Sequence, residues 1–346
     1  MTPGGTADMA EGSTLEQWLD SQCDAQEGAR ALSATLAILA DGVRRLSAMI
    51  RQGDLIERPA VNATLRSVLE NQAARVFRAS AEAAPVAHLA SADDTDVVTL
   101  DDAAPLALAI DPLDASNGLD GNVPTGTIFS IYPKAADPLA SFLRPGREQW
   151  AAGYAMYGGR TLLVLTLGRG TAVFTLDPAT DTFILTDGAL TTPEDASAFA
   201  INAANYRHWE PPVRAYIDDC VEGTDGPRDK EFKMRWVGSL VAETHRILTQ
   251  GGIFLYPRDN RPEHERGTLR RVFGAMPIAL ITEQAGGGAT DGDHRLLDTV
   301  PASLHARAPL VFGSRKKVER VKRYHDDPDF NIAGAPLFGV RGLFRG

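Results

Sequence analysis

The chain has 346 residues, of which 35 are Lys or Arg and 45 are Asp or Glu, so its formal net charge is -10. Its composition, 44% apolar and 23% charged, is typical of a globular protein and excludes disorder of the whole chain. The acidic balance disfavours nucleic-acid partners and anionic membrane surfaces. The sequence also lacks the run of about 20 apolar residues that would span a bilayer.

The N-terminal segment and the number of cysteines indicate in which cellular compartment the protein is expected. Residues 1–12 are small and acidic, which predicts a loose tail without the basic and apolar regions of a secretory signal. Two cysteines, Cys23 and Cys220, are too few for a disulfide framework or a Cys-rich zinc site. We therefore expect free thiols in a reducing compartment and a cytoplasmic protein.

Helical spacing of apolar residues dominates the region after the tail. The run Ser13-Thr14-Leu15-Glu16 predicts an N-cap with a Glu three positions later. Apolar residues then recur at helical spacing as far as Ile50, and Gly53-Asp54 ends the region. A further helix is predicted over about 61–79.

Short apolar or alternating runs, separated by Gly, Pro and Asp, then predict strands and a meander. These runs cover 97–100, 106–110, 127–132, 154–157, 162–167, 172–176 and 182–185. Between the fifth and sixth runs, Gly168-Arg169-Gly170 is typical of a hairpin turn.

A helix–strand alternation follows, which favours an α/β arrangement in the second half of the chain. Its segments are 213–219, 240–248, 253–256, 279–284 and 318–324. The predicted division is a flexible tail (1–12), an N-terminal α+β domain (13–195), a C-terminal α/β domain (196–326) and a second tail (327–346).

The segment Asp111 to Asp120 carries the clearest chemical signal. An apolar run ends in Asp111, and Pro112 biases that residue towards extended backbone. Asp111 and Asp114, with the carbonyl of Leu113 between them, can converge on one hard cation such as Mg²⁺. The small residues that follow can present backbone N–H groups to a phosphate. An Asp-Pro turn with a capping Asp is the alternative on these residues alone.

Ordered matches to a known family of proteins run through most of the chain. They are Asp111 to Asp114, Gly126 to Tyr132, Ala152-Gly153-Tyr154, Thr166 to Gly170, Phe174 to Pro178, Ile201-Asn202, Arg235 to Arg246, Gly251 to Pro257, Gln284 to Gly287 and Leu297-Asp298. Over about Leu89 to Tyr324, the sequence resembles the class 1 fructose-1,6-bisphosphatase family of sugar phosphatases.

The resemblance implies a layered αβαβα fold, a homotetramer and hydrolysis of the 1-phosphate of fructose 1,6-bisphosphate to fructose 6-phosphate and phosphate. This reaction belongs to carbohydrate metabolism of the gluconeogenic or Calvin-cycle type. The implied cofactor is Mg²⁺, with Mn²⁺ as an alternative. The family's mechanism is in-line phosphoryl transfer to a metal-activated water, which a carboxylate base orients.

The resemblance also assigns roles to individual residues. The implied metal ligands are Asp93, Asp111, the carbonyl of Leu113, and Asp114. The implied catalytic residues are Asp93, as the water-orienting base, Asp111 and Asp114. The implied substrate contacts are Asp114, Ala115, Ser116, Asn117, Asn202, Tyr256 and, reaching into a neighbouring subunit's site, Arg235.

Several positions depart from the family's pattern. Ala92 and Asp93 stand where the family has a Glu-Glu pair, and Gly274 stands at the place of a metal-bridging Glu. Thr268 takes the place of a phosphate-binding Lys, and the family's mobile-loop Asp falls at Arg66. The loss of one well-placed electrostatic group commonly lowers a rate by about 10²–10³-fold.

Three hypotheses follow from the resemblance and its departures. The first is an active, Mg²⁺-dependent sugar bisphosphatase with a remodelled metal site. The alternative is a catalytically impaired paralogue that binds sugar phosphates or regulates an active partner subunit. The third is a phosphatase of altered specificity, with Asn205 and Trp236 shaping a different pocket. His245, within a predicted helix, is interpreted as a structural histidine.

Overall fold

The computed structural model describes residues 10–22, 27–58 and 62–327. Most of both predicted tails, and Cys23, lie outside the described residues. Cys220 is a buried free thiol.

The described chain alternates between helical and extended segments. The helices are α1 (Leu15–Gln22), α2 (Glu27–Gln52), α3 (Leu65–Ala83), α4 (Pro211–Val221), α5 (Leu240–Gln250), α6 (Met276–Gln284) and α7 (Arg315–Asp326). The strands of the first half are β1 (Val86–Ser91), β2 (Val98–Thr99), β3 (Leu106–Asp114), β4 (Thr125–Pro133), β5 (Ala151–Tyr157), β6 (Thr161–Thr166), β7 (Ala172–Asp177) and β8 (Thr182–Asp187). Those of the second half are β9 (Ala198–Ala200), β10 (Lys233–Met234), β11 (Ile253–Tyr256), β12 (Leu269–Arg270), β13 (Gly288–Thr290), β14 (Arg307–Ala308) and β15 (Leu310–Gly313).

An eight-stranded sheet with the order β2-β1-β3-β4-β5-β6-β7-β8 forms the larger layer. Only the pair β1 and β3 is parallel; the other neighbours are antiparallel. Helices α1 to α3 cover one face, where Leu36, Phe77, Leu108 and Phe174 belong to one core. Within the described part of the chain, no helix combines the length and the apolar character needed to cross a membrane.

The opposite face of this sheet packs on α5 and α6, which separate it from a second sheet. A single core joins Tyr154 of the first sheet, Ile247 and Ile278 of these helices, and Phe254 and Phe312 of the second sheet. The second sheet has the order β10-β9-β11-β15-β13. Because both faces of the central strands are buried, their sequences are nearly continuous apolar runs.

Helices α4 and α7 cover the outer face of the second sheet. Val213 and Tyr216 of α4 and Val321 of α7 share a core with Leu255 and Val311 of the sheet. The layers are therefore helix, sheet, helix, sheet and helix, and the predicted αβαβα fold is confirmed.

Some predicted elements differ in detail from the structure. The N-cap of α1 is Thr14 rather than Ser13, because the Thr14 hydroxyl accepts the N–H of Gln17 (3.3 Å) while the Gln17 side chain accepts the N–H of Thr14 (2.9 Å). Strand β1 (Val86–Ser91) is not among the predicted strands, because its run of small residues lacks a β-branched alternation. The hairpin at Gly168-Arg169-Gly170 is confirmed: both glycines have positive φ between β6 and β7.

His245 is held inside the fold and is not part of a reactive cluster. Its Nδ1 lies 3.0 Å from the hydroxyl of Tyr154, a buried side chain of the larger sheet. Burial, with a smaller contribution from Arg160, lowers the pKa of His245 to about 4. The ring is therefore neutral at pH 7, as expected for a structural histidine.

We expect His245 to make the folded state sensitive to acid. The unfolded chain binds a proton near pH 6.5 and the folded chain only near pH 4, so stability falls as the pH drops through this window. At pH 4.5 the loss amounts to roughly 2–3 kcal/mol. Urea unfolding of wild type and His245→Gln at pH 7 and pH 4.5 measures this loss of stability. The exposed His294 supplies the control His294→Gln, which should lose as much stability as wild type. An equal loss in His245→Gln would contradict the prediction.

Candidate active site

The predicted metal-binding segment lies where β3 departs from regular pairing. Asp111 pairs with Ile128 of β4, but Asp114 pairs with Gly126, so the register shifts between the two carboxylates. Such bulges re-aim side chains. The hydroxyl of Thr127 donates to the carbonyl of Pro112 (2.9 Å) and fixes the irregular backbone.

Gly126 lets helix α5 approach this bulge closely. A Cβ at Gly126 would lie 2.3 Å from the carbonyl oxygen of Ala155 and 2.7 Å from the side chain of Val241. Only glycine fits this position, and Val241 is the second residue of α5. The first turn of α5 is therefore held against the end of β3.

Asp114 lies at the N-terminal end of α5. Burial raises the pKa of Asp114 to about 6, while the backbone N–H groups of Val241, Ala115 and Leu240 act in the opposite direction. A helix N-terminus carries a partial positive charge, which favours the ionised carboxylate. Its Oδ2 is buried and has no hydrogen-bond partner among the residues described.

Asp111 shares this environment with two other carboxylates. Burial raises the pKa of Asp111 to about 8, with further increases from the charges of Asp114 and Asp93; Arg270 acts in the opposite direction. Burial likewise raises the pKa of Asp93, which Arg270 opposes. Three carboxyl groups and one guanidinium therefore act on one another here. Asp93 and Asp114 are close enough to Asp111 to raise its pKa, but the oxygens of the three do not all lie within 4.8 Å of one another; among the described residues, Asp291, Asp293 and His294 form the one group that meets this distance.

Arg270 reaches this cluster from β12, far along the chain. Its guanidinium donates to the backbone carbonyl of Ala92, next to Asp93. The Ala92 side chain belongs to an apolar cluster with Ala109, Tyr132 and Phe273. An alanine packed in an apolar cluster therefore stands where the family has its first Glu. The backbone carbonyl of this alanine accepts a hydrogen bond from Arg270.

The structure adds Glu70, which the sequence pattern does not single out. Its Oε1 accepts the hydroxyl of Ser116 (2.6 Å) and the Nε–H of Arg66 (2.8 Å). Burial acts to raise the pKa of Glu70, but these two hydrogen bonds outweigh it and lower the pKa. The charge of Glu70 also raises the pKa of Asp93. Arg66, to which the resemblance assigned the catalytic Asp, instead orients this carboxylate.

The loop after Asp114 is tightly wound. Ala115 has a left-handed backbone (φ 58°), and a short 3₁₀ helix covers Ser116–Gly121. Ser116 is buried, whereas Asn117 is exposed. This turn points the Ser116 hydroxyl at Glu70 and leaves the backbone of the loop beside the carboxylates.

Asn202 and Tyr256 line a separate small pocket, together with Asn205, His264 and Thr268. The Oδ1 of Asn202 accepts the N–H of Ala204 (3.2 Å). The ring of Tyr256 stacks on that of Trp236 with centroids 6.0 Å apart. The Oγ1 of Thr268 is buried and lacks a hydrogen-bond partner within the described ranges. These side chains do not join the carboxylate cluster.

Arg235 is not among the residues that line the pocket of Asn202 and Tyr256. It follows β10, the edge strand of the second sheet, and is exposed. Its guanidinium donates to the carbonyl of Met234 (3.0 Å). Its predicted role in a neighbouring subunit's site stays a prediction.

Gly274 lies close to the first turn of α5. It is part of a π-helix (Arg271–Ala275) that precedes α6. A Cβ at this position would meet the side chain of Leu240 at 3.5 Å, an ordinary contact. The backbone at this buried position therefore has room for a Cβ atom.

Nearly the whole described chain matches one family of known proteins. The family description "Fructose-1-6-bisphosphatase, N-terminal domain" matches residues 13–188, and "Fructose-1-6-bisphosphatase, C-terminal domain" matches residues 192–326. A class 1 fructose-1,6-bisphosphatase of Cereibacter sphaeroides (strain ATCC 17029) is 54% identical over 269 residues, covering 78% of this chain and 80% of the relative. A class 1 fructose-1,6-bisphosphatase of Rhizobium meliloti (strain 1021) is 47% identical over 349 residues, covering 96% and 99%.

Solved structures agree with this match at the level of the fold. The holo form of Leishmania major fructose-1,6-bisphosphatase superposes with a TM-score of 0.82 at 30% identity, covering 92% of this chain and 100% of that one. Its T-state structure superposes with the same score at 31% identity, with the same coverage.

Proposed function

Because the chain belongs to the class 1 fructose-1,6-bisphosphatase family, we propose that the cluster of Asp93, Asp111 and Asp114 binds Mg²⁺ and hydrolyses the 1-phosphate of fructose 1,6-bisphosphate. The protein is a sugar phosphatase of the fructose-bisphosphatase type and hence a phosphoric monoester hydrolase of carbohydrate metabolism. The alternative of a non-catalytic paralogue is not favoured by these relatives. The proximity of Asp93 and Asp114 to Asp111 supports the proposal.

The residues present fit a divalent cation. The buried Oδ2 of Asp114 has no hydrogen-bond partner in the described chain, and burial, with smaller contributions from Asp114 and Asp93, raises the pKa of Asp111. Arg270 supplies only one positive charge for three carboxyl groups, so a hard cation with oxygen ligands would stabilise their ionised forms. Asp93, Asp111, the carbonyl of Leu113 and Asp114 would hold it. Once bound, the cation would polarise the phosphoryl oxygens and lower the pKa of a water molecule.

The chain's own groups would position the reactants. Glu70 and Asp93 lie close enough to influence each other, and either carboxylate can accept the proton of an attacking water. Ser116, together with the backbone N–H groups from Ala115 to Asn117, would orient the transferred phosphoryl group. Arg270 would balance negative charge as the phosphoryl group moves.

The second phosphate of the substrate would occupy the pocket of Asn202 and Tyr256. The side-chain amide and the phenol offer hydrogen-bond donors, and the unpartnered hydroxyl of Thr268 adds another. No Lys or Arg lines this pocket in the described structure. Arg235 of a second copy would supply the missing cation if the protein forms the tetramer that the family resemblance implies.

The surface around Arg235 supports association between copies. Met234 and Val237 flank it, and both side chains are exposed. Met234 ends the edge strand β10 and Val237 lies three residues after it, and the outer side of this strand is unpaired within the described sheet. We also propose that the protein is located in the cytoplasm, a reducing compartment in which a free thiol such as that of Cys220 persists.

Phosphate release from fructose 1,6-bisphosphate tests the proposal directly. We expect turnover with excess Mg²⁺ or Mn²⁺, and none after EDTA treatment, with recovery when Mg²⁺ is restored. Fructose 1-phosphate, sedoheptulose 1,7-bisphosphate and an inositol phosphate, run in parallel, rank the substrates. Equal rates with and without chelator would show that the carboxylates do not act through a divalent cation.

A further inference from the structure

A second cavity, separate from the carboxylate cluster, lies between two loops of the C-terminal half. It has a volume of about 570 Å³, within the range of sites for small molecules. Residues 258–267 after β11 and 300–309 before β15 contribute most of its lining, and Arg271 and Asp291 complete it. The groups proposed for catalysis are absent from this lining.

Arg271 is the most unusual group in this cavity. Only 15% of its side chain is exposed, and Asp291 lies 3.7 Å from its Nη2, beyond direct hydrogen-bond distance. One further contact, from Nη1 to the carbonyl of Val300, is long at 3.4 Å. Its Nε is buried and has no hydrogen-bond partner in residues 10–22, 27–58 or 62–327. A guanidinium has five N–H donors, so its capacity to bind an acceptor is largely unused.

Neighbouring arginines reinforce this positive charge. Arg307 donates to the carbonyl of Thr268 but has no carboxylate within salt-bridge distance in the described structure, and the same is true of Arg266. Arg258 differs, because Glu210 (2.9 Å) and Asp293 (2.8 Å) already neutralise it. In the described structure, Arg266 and Arg307 therefore lack a carboxylate within salt-bridge distance, whereas Arg271 has Asp291 at 3.7 Å.

Acidic residues occupy the solvent side of the same cavity. Glu263 and Glu265, on the loop after β11, are exposed. Carboxylates at this place would repel a bare polyanion but accept hydrogen bonds from hydroxyl groups. Burial lowers the pKa of Arg271, with Asp291 opposing, which shows that its charge is poorly compensated in the free protein.

We infer that this cavity binds a small hydroxylated metabolite, whose phosphate or carboxylate group lies on Arg271 and Arg307 and whose hydroxyl groups face Glu263 and Glu265. The planar fork of an arginine matches both oxyanions in bidentate geometry. Arg270, the last residue of β12, reaches Ala92 beside the carboxylate cluster, whereas Arg271, the next residue, faces Asp291. The second site therefore lies back to back with the catalytic one but is distinct from it.

Titration calorimetry on the full chain tests this inference. Inorganic phosphate and malonate are the probes, and they distinguish a phosphate from a carboxylate ligand. We expect Arg271→Gln to weaken binding of the preferred probe by about tenfold or more, because a hydrogen-bonded charge is lost. Arg169→Gln, which removes an exposed arginine from the β6–β7 turn, is the matched control and should bind like wild type. Arg307→Gln repeats the test if Arg271→Gln is not folded.

A crystal soaked in selenate locates the binding event independently. The anomalous signal of selenium should appear within hydrogen-bond distance of Arg271 and Arg307. The absence of signal in the cavity, or equal phosphate and malonate affinities of Arg271→Gln and Arg169→Gln, would overturn the inference. Turnover of fructose 1,6-bisphosphate is not involved in either measurement, so this site and the proposed catalytic function fail or succeed separately.

Discussion

Asp111→Asn is expected to lower kcat/KM for fructose 1,6-bisphosphate by about 10³-fold, the largest effect of any single change considered. Removing one well-placed electrostatic group typically lowers a rate by about 10²–10³-fold, and Asp111 would also hold the cation. Asparagine keeps the size of the side chain, so the β3 bulge is preserved. Phosphate release under saturating Mg²⁺ measures the effect.

Two further readouts separate a loss of chemistry from a loss of fold. Asp111 lies among like charges, so its neutralisation should leave the thermal unfolding temperature unchanged or raise it. Calorimetric titration with Mg²⁺ should show weaker binding. Asp120→Asn is the matched control, because Asp120 is an exposed carboxylate of the same segment. If both variants turn over at the wild-type rate, Asp111 is not a catalytic residue.

Glu70→Gln is expected to lower kcat by about 10²-fold and to change KM little, because a positioned general base contributes about 10²–10⁴-fold. Glutamine keeps the hydrogen bond from Ser116 but cannot accept a proton at neutral pH. A split between kcat and KM distinguishes this role from a purely structural one. Steady-state phosphate release over a range of substrate concentrations measures both constants.

Helix α3 itself offers the control. Glu82 accepts Arg78 at 2.9 Å with the same i,i+4 spacing that joins Arg66 to Glu70 at 2.8 Å. It lies on the same helix but has no serine from the metal-binding loop as a partner. Glu82→Gln should therefore retain the wild-type kcat. A comparable loss in both variants would indicate that the salt bridges stabilise α3 and that Glu70 has no chemical role.

The substitutions at positions where the family has charged residues differ in their structural consequences. The Ala92 side chain is committed to an apolar cluster, so a carboxylate there would disturb packing. Gly274 is buried, and a Cβ there would make an ordinary contact at 3.5 Å. Thr268 keeps a polar group in the pocket of Asn202 and Tyr256 but brings no charge. The division into domains at residues 195 and 196 remains a prediction.

Local sequence predicted most of the helices and strands because apolar periodicity reflects which faces are buried, whereas the layered fold was predicted from the family resemblance. Continuous apolar runs such as Leu106 to Ile110 lie in strands covered on both sides. The short distance between Asp111 and Asp114 along the chain also sufficed to predict that they would share one site. Strand β1 was not predicted, because small residues such as Ala87 and Ala90 have little local preference for a strand. These residues are extended because β1 pairs in parallel with β3.

Tertiary packing alone decided the rest of the site. Glu70 and Arg270 lie 41 and 159 residues from Asp111 (111 − 70 and 270 − 111), and nothing in their neighbours along the chain singles them out. The close approach of α5 to Gly126 places a helix N-terminus beside Asp114. Electrostatic fields act through space, so the charges that meet at a point are set by how layers stack. The sequence by itself therefore determined most helices and strands, the family with its layered fold, and one pair of neighbouring carboxylates, and folding decided which distant charges join them.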